Sequence, residues 1–336
     1  MKEKERVKAS LTFKNPDRIP RDLWALPYVS LFQKDALAKI LKEFPTDIEN
    51  TLISPGSSNE IMKKCAKIGK YTDDWGSIWH VNEPGVVGEV KEPFLFDWSR
   101  LNKFKPPYHL IKNRNLSKIN KSYNLSTKFI LSDVAARLFE QLQFLRGTQN
   151  LFMDLAYRET NFLKLLKIVH EFNIENIKNW CKTEVDGIFI MDDWGTQRSL
   201  LINPNTWKEI FKPLYKEYCE IIHKADKFVF FHSDGNITEI FGDFVEIGID
   251  AINSQLFVMD IEGFLSKFKG QITFWGEIDR QYLLPFGTPG QVCNAVMRIR
   301  KALDNGSGGL IAQCEWGKNN PEINIKAVFN AWSLEI

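Results

Sequence analysis

Phe228-Val229-Phe230-Phe231-His232-Ser233-Asp234-Gly235 is an apolar run that ends in polar residues. Ile272-Thr273-Phe274-Trp275-Gly276-Glu277-Ile278-Asp279 has the same form, and Ala251-Ile252-Asn253-Ser254-Gln255 between them is a shorter version of it. Segments of helix length separate the three. Strand-like runs alternating with helical patterns predict βαβ units and a parallel sheet. Polar groups gathered at the C-terminal ends of such strands are the mark of the active face of a parallel barrel.

The same rhythm extends in both directions. Gly187 to Met191 is wholly apolar, as expected of a parallel strand buried on both faces, and ends in Asp192-Asp193-Trp194-Gly195-Thr196-Gln197. Residues 128–132 form another run, ending at Asp133, and Gly308-Gly309-Leu310-Ile311-Ala312-Gln313-Cys314-Glu315 is the last. A first strand falls within residues 18–27 and a second near 50–54. Helices are expected over 33–43, 134–146, 159–182, 236–247, 260–268, 289–303 and from Pro321 onward. In 159–182, Phe162, Leu165, Leu166, Val169, Phe172 and Ile177 share one face at helical spacing. Residues 2–14 read as a short charged helix closed by the turn Asn15-Pro16-Asp17. Residues 105–126 form a polar, Asn- and Lys-rich segment. Residues 71–95 break the rhythm and predict a small antiparallel β insertion, either a structural excursion or a wall over the barrel mouth that carries Trp79 and His80. Eight strands with helices between most of them predict an α/β protein, a (β/α)8 TIM barrel forming a single domain over residues 1–336.

Composition narrows the function. The 336 residues are 44% hydrophobic, enough for a large core, and a net charge of +2 offers nucleic acid no electrostatic footprint. No apolar signal region follows the charged N-terminus and no apolar run has the length of a membrane span, so a cytoplasmic protein is expected. Five scattered cysteines do not form a disulfide framework. Ten Trp suit a roomy aromatic pocket, although aromatics serve as plain core more often.

The strand ends bring together Asp133, Asp192 or Asp193, His232 with Asp234, Gln255, Glu277 with Asp279, and Cys314 with Glu315. His232 is the one histidine of five at a strand end, and Cys314 the one cysteine. Imidazole, thiolate and carboxylate are the ligand types of catalytic zinc. His232, Cys314 and a carboxylate would complete such a site, with Asp234 the first choice and Glu277 the second. The competing reading makes Cys314 a small buried hydrophobe and His232 a hydrogen-bonded side chain. Adjacent acids are often a helix cap and a solvated charge, but at the end of an all-apolar strand one of the pair is expected to face the pocket.

Glu5-Arg6-Val7 with Asn15-Pro16-Asp17-Arg18-Ile19-Pro20, then His232-Ser233-Asp234-Gly235-Asn236-Ile237, Gly248-Ile249-Asp250-Ala251-Ile252-Asn253 and Phe274-Trp275-Gly276-Glu277-Ile278-Asp279 resemble the uroporphyrinogen decarboxylase superfamily. The resemblance is closer to its corrinoid-dependent methyltransferases, of the methylcobamide:coenzyme M type, than to the haem-pathway decarboxylase. It implies a (β/α)8 barrel, often dimeric. The haem-pathway enzyme carries a Met-Arg-Gln-Ala-Gly-Arg signature that grips carboxylates. Here the corresponding residues are Arg21-Asp22-Leu23-Trp24-Ala25-Leu26-Pro27, and a substrate with many carboxylates needs more cations than Arg18 and Arg21. The methyltransferases bind zinc through a His-x-Cys pair and a distant Cys. His232 matches the His, Asp234 stands where the first Cys would be, and Cys314 matches the distant Cys.

The resemblance therefore implies methyl transfer between a corrinoid on a partner protein and a small thiol, or from a methoxy or methylamine compound. Its metal site is His232, Asp234 and Cys314. Glu277, Asp193 and Asp192 would be the catalytic acids. Trp79, His80, Asp133, Trp194, Gln197, Gln255, Trp275, Asp279, Arg280 and Glu315 would contact substrate, the tryptophans receiving the flat corrin. The alternatives are a decarboxylase, using Asp192, Asp193, Asp234 and Arg280 without metal, and a non-catalytic barrel that binds a tetrapyrrole or corrinoid.

Overall fold

The structure, a computed structural model, describes residues 1–51 and 58–334. In chain order its strands are β1 (Arg21–Ala25), β2 (Ile48–Asn50), β3 (Gly69–Thr72), β4 (Ile78–Val81), β5 (Glu89–Glu92), β6 (Phe129–Ala136), β7 (Gly187–Met191), β8 (Phe228–Ser233), β9 (Ala251–Ser254), β10 (Thr273–Trp275) and β11 (Leu310–Trp316). Eight of them form one sheet in the order β1-β11-β10-β9-β8-β7-β6-β2, and every pairing in it is parallel. The two edges meet through Asp47, just before β2, whose N–H donates to Arg21 O at 2.8 Å while its carboxylate accepts from the Arg21 N–H at 2.7 Å. The chain is thus the nearly closed (β/α)8 barrel that the strand count predicts.

Alternation along the strands divides the core in two. Phe129, Leu131, Phe189, Phe230, Ala251, Trp275 and Ile311 point inward and pack with Trp24 and Met191. Val7 and Leu11 of the N-terminal helix Glu3–Leu11 join that inner cluster. Ile188, Ile190, Val229, Phe231, Ile252, Phe274, Leu310, Ala312, Cys314 and Trp316 point outward against the helices. A slip of one residue in any strand would exchange these faces, so burial on both sides holds the register.

Four segments differ from expectation. The strand expected near 50–54 is β2, and its positions 52–54 lie outside the described residues. β6 runs on to Ala136, so the following helix begins at Phe139, where buried Asp192 accepts its first N–H groups. Residues 260–268 make only a turn and the short 3-10 helix Leu265–Phe268, while the polar segment 105–126 contains helices Tyr108–Lys112 and Leu116–Tyr123.

β3, β4 and β5 form the antiparallel insertion. Ser77 Oγ donates to Phe144 O at 2.9 Å, Trp79 packs on the Phe144 ring, and Glu83 pairs with Lys318. Those anchors follow β6 and β11, at the C-terminal end of the barrel. No helix among the described residues is long and apolar enough to cross a membrane.

Candidate active site

The loops after β7 and β8 run side by side like a continued strand pair. Asp192 N donates to His232 O at 3.0 Å, Gly195 N to Asp234 O at 3.1 Å, and Asn236 N to Thr196 O at 2.7 Å. The approach requires glycine, because a Cβ on Gly235, at φ +80°, would lie 2.2 Å from the carbonyl of Gly195. This zipper sets Asp193 beside Asp234. The Asp193 carboxylate also accepts the Asp234 N–H at 2.9 Å.

His232, on the inward face at the end of β8, completes the group. Its Nε2 lies 3.5 Å from Asp193 Oδ1 and 3.6 Å from Asp234 Oδ1. Ligand atoms of Asp193, His232 and Asp234 all fall within 4.8 Å of one another. His232 Nδ1 is 2.6 Å from Asn253 Oδ1, and the Asn253 amide is oriented in turn by donating to Trp275 O at 2.6 Å and Gln313 Oε1 at 3.1 Å. The asparagine therefore accepts from Nδ1–H, which leaves the Nε2 lone pair toward the two carboxylates. Asp234 Oδ1 is buried and has no hydrogen-bond partner among the described residues. A lone pair and an orphaned carboxylate oxygen converging on one point fit a divalent cation, and a second residue that fixes the imidazole is the usual support of a metal-bound histidine.

Arg280 stands on the other side of Asp234. It donates to Asp234 Oδ2 and, at 2.6 Å, to Glu315 Oε1, and its Nε is 3.4 Å from Glu277 Oε1. Burial raises the Glu277 carboxyl well above the ordinary range, against the pull of Arg280 and with further push from Glu315 and Asp234. Burial raises Glu315 likewise. Below them lies an aromatic floor. The Asp22 carboxylate accepts from Trp275 Nε1 at 2.9 Å and Trp24 Nε1 at 3.1 Å, and the Trp24 ring sits 5.2 Å from the His232 ring.

Residues 139–333, more than half of the chain, match the uroporphyrinogen decarboxylase family. The chain belongs to that family. Among solved structures it is similar to a methyltransferase from Methanosarcina mazei, at TM-score 0.68 and 13% identity, with 99% of this chain and 98% of that one covered. At that identity the likeness is one of fold. A 3-keto-D-glucoside 4-epimerase from E. coli aligns at TM-score 0.40 and 9% identity over 66% of this chain and 84% of its own, too low to bear on function. No curated protein matches the sequence.

Within this member of the uroporphyrinogen decarboxylase family, several expected site residues lie elsewhere. Cys314 is fully buried on the outward face of β11, among residues that pack against the helices, and burial holds its thiol far above the thiolate range. Glu315, its neighbour, takes the inward face. Asp192 also points outward, where it accepts the N–H groups of Leu138, Phe139 and Glu140 and the Tyr215 hydroxyl. Trp194 and Trp275 are fully buried and present no rim to a flat ligand. Trp194 stacks on Phe139, with ring centroids 4.3 Å apart. Trp79 and His80 are tied within the insertion, Trp79 Nε1 to Asp73 at 2.8 Å and His80 Nε2 3.5 Å from Glu92. Asp133 sits mid-strand in β6, and Asp279 caps the turn of Gln281 and Tyr282. Gln197 and Gln255 bond each other at 3.2 Å and tie the loops after β7 and β9.

Sequence reasoning missed Asn253, Gln313, Trp24, Asp22 and Glu140. Counting by two along β9 and β11 from their inward residues would have found Asn253 and Gln313. Glu140, in the first turn of helix Phe139–Arg146, is half-buried, with its Oε2 out of contact with solvent and 3.2 Å from Arg137 Nε. Burial outweighs Arg137 and pushes its carboxyl up to about 8, while burial pushes Asp22 and Asp192 up to about 6. A carboxyl with a raised folded pKa contributes stability that is full below its unfolded pKa and is lost as pH rises through the folded one. Thermal melts in chelator should therefore show Tm falling from about pH 5 to about pH 9, with a smaller fall in Glu140→Gln. Parallel curves for the two proteins would contradict the burial argument.

Proposed function

We propose that this chain is a metal-assisted methyltransferase. One divalent cation, zinc in the first instance, is held by Asp193, His232 and Asp234. A small methylated or methyl-accepting compound binds beside it, and a corrinoid on a partner protein is the other methyl carrier. The observation that carries the reading is the convergence of the His232 Nε2 lone pair with the two carboxylates, one of them orphaned. The end-to-end likeness to a methyltransferase supports it.

Bound there, a zinc ion supplies a Lewis acid that polarises an oxygen substrate or favours the thiolate of a thiol. The chain's own groups do the rest. Asn253 keeps the proton of His232 on Nδ1 and so keeps Nε2 available. Arg280 holds Asp234 in place and balances part of the acid cluster. Glu277, whose carboxyl burial pushes well above the ordinary range, is placed to take up or give a proton on the inner side of the site. The Trp24–Trp275 floor excludes water from below.

A carboxy-lyase acting on a small acid is the second reading, supported by the raised Glu277 carboxyl next to the Arg280 cation. A substrate with many carboxylates is poorly served: Arg18 is bound to Asp47, Arg21 to Ser333, and Arg280 already meets three carboxylates. Metal analysis of the purified protein by mass spectrometry tests the choice. The expected result is about one zinc per chain, retained in Cys314→Ala, with activity that chelator removes and zinc restores. A protein that takes up no divalent cation when supplied with it would leave the carboxy-lyase reading, whose turnover survives chelator.

A further inference from the structure

Arg280 is saturated with carboxylates, but a second arginine at the barrel mouth is not. Arg137 follows β6 directly, at the C-terminal end of the barrel. Its Nη2 donates to Met191 Sδ. Met191 ends β7, packs on the inner cluster and is the strand partner of His232. Adjacent strands lie about 4.8 Å apart, so the guanidinium stands one strand over from the histidine of the candidate cation centre. Arg280 approaches that centre from the β10 side, and Arg137 from the β6 side.

The contacts of Arg137 satisfy little of it. A guanidinium carries five N–H donors, and the thioether that meets Nη2 is a weak acceptor. Nε is 3.2 Å from Glu140 Oε2, yet both atoms are buried without a hydrogen bond among the described residues. The Phe144 ring, with its centroid 5.9 Å from Cζ, offers a face and no lone pair. Nη1 makes no hydrogen bond among the described residues. The Arg137 side chain is 29% exposed, Asp193 35% and Asp234 28%, so the arginine and the centre are both reached from solvent.

We infer that Arg137 receives a carboxylate of the substrate on the free edge of its guanidinium. The substrate class is then a short carboxylate whose reacting atom lies at the cation. A planar guanidinium meets a carboxylate with two parallel N–H···O bonds, which a thioether or a ring face does not replace. Charge selects the same group. Asp234 is answered by Arg280 and, with Asp193, by the proposed cation, while Arg137 has Glu140 alone at a poor angle. The neighbouring acids repel a dianion more than a single negative charge held on the arginine. Burial lifts the Glu140 carboxyl, which lessens its claim on the guanidinium further. The position of the reacting atom rests on the metal-centre reading above. The carboxylate subsite does not.

Calorimetric titration of the full chain tests the subsite, with 3-hydroxybenzoate and 3-mercaptopropanoate each set against its uncharged amide. The acid of at least one pair should bind about tenfold tighter or more. Arg137→Gln should erase that preference, and Arg137→Lys, which keeps the charge without the fork, should restore only part of it. The zinc content of both variants should match the parent. In chelator the preference should persist at lower affinity, since the arginine and not the metal provides it. A preference that needs zinc places the carboxylate on the metal, and one that survives Arg137→Gln places it elsewhere. Either result overturns the assignment, as does the absence of a preference in both pairs, whether from equal binding or from none. Zinc lost together with the preference in Arg137→Gln makes the residue a support of the centre and overturns it as well. A chain that binds no zinc yet keeps an Arg137-dependent preference loses the metal reading and keeps the subsite.

Discussion

Asp192→Ala should lower folding stability by about 3–5 kcal/mol, the scale on which a buried charge network fails when one partner is removed. The side chain is fully buried and accepts from three backbone N–H groups, those of Leu138, Phe139 and Glu140, and from the Tyr215 hydroxyl. The three N–H groups start helix Phe139–Arg146 and have no intrahelical acceptor. Each buried donor left without a partner costs about 1–3 kcal/mol, and the cavity left by the carboxylate is too small and too polar to collapse around. Asp192→Asn should cost less, because one amide oxygen still accepts while its NH₂ faces donors. Chemical denaturation reads the difference as a shift in midpoint at constant slope. Asp193→Asn is the control one residue away: it should move the midpoint little and weaken metal binding instead. An Asp192→Ala protein as stable as the parent but unable to hold zinc would reverse the roles of the two acids.

His232→Ala should abolish metal retention through dialysis while the barrel remains folded. Nε2 is the one nitrogen donor of the proposed centre, and two carboxylates alone hold a borderline cation such as zinc weakly. The buried ring leaves a small cavity beside Trp24 and an unpaired Asn253 Oδ1, so Tm measured in chelator should fall while the unfolding transition stays cooperative. Asn253→Leu separates the ligand from its support. The imidazole remains, but nothing holds its proton on Nδ1, and zinc affinity should drop by about 10- to 100-fold. Competition with a chromophoric chelator measures both variants. Full zinc occupancy in His232→Ala would dismiss this centre.

The two acids and the cysteine show how far the sequence could be read. Alternation of apolar runs with helical segments carried the barrel, because eight strands buried on both faces have one economical closure. His232, Asp234, Glu277 and Arg280 were found for the same reason: they are the polar residues that follow apolar runs. Their partners were harder to find. Asp193 and Asp192 are neighbours of one type, and only the side on which each leaves the strand assigns one to the cation and the other to a helix start. Cys314 and Glu315 pose the same problem, and the pairing of β11 with β10 and β1 turns the glutamate inward and the thiol toward the helices.

The sequence by itself determined the barrel, the position of the inner polar ring and the family. The tertiary structure alone decided which ring members meet. Side-chain direction in a strand reverses at every residue, and loop contacts such as Gly195 against Gly235 join positions 40 residues apart. Neither is encoded in local composition. Both follow from packing, which is why the candidate metal centre is Asp193, His232 and Asp234 rather than a site containing Cys314.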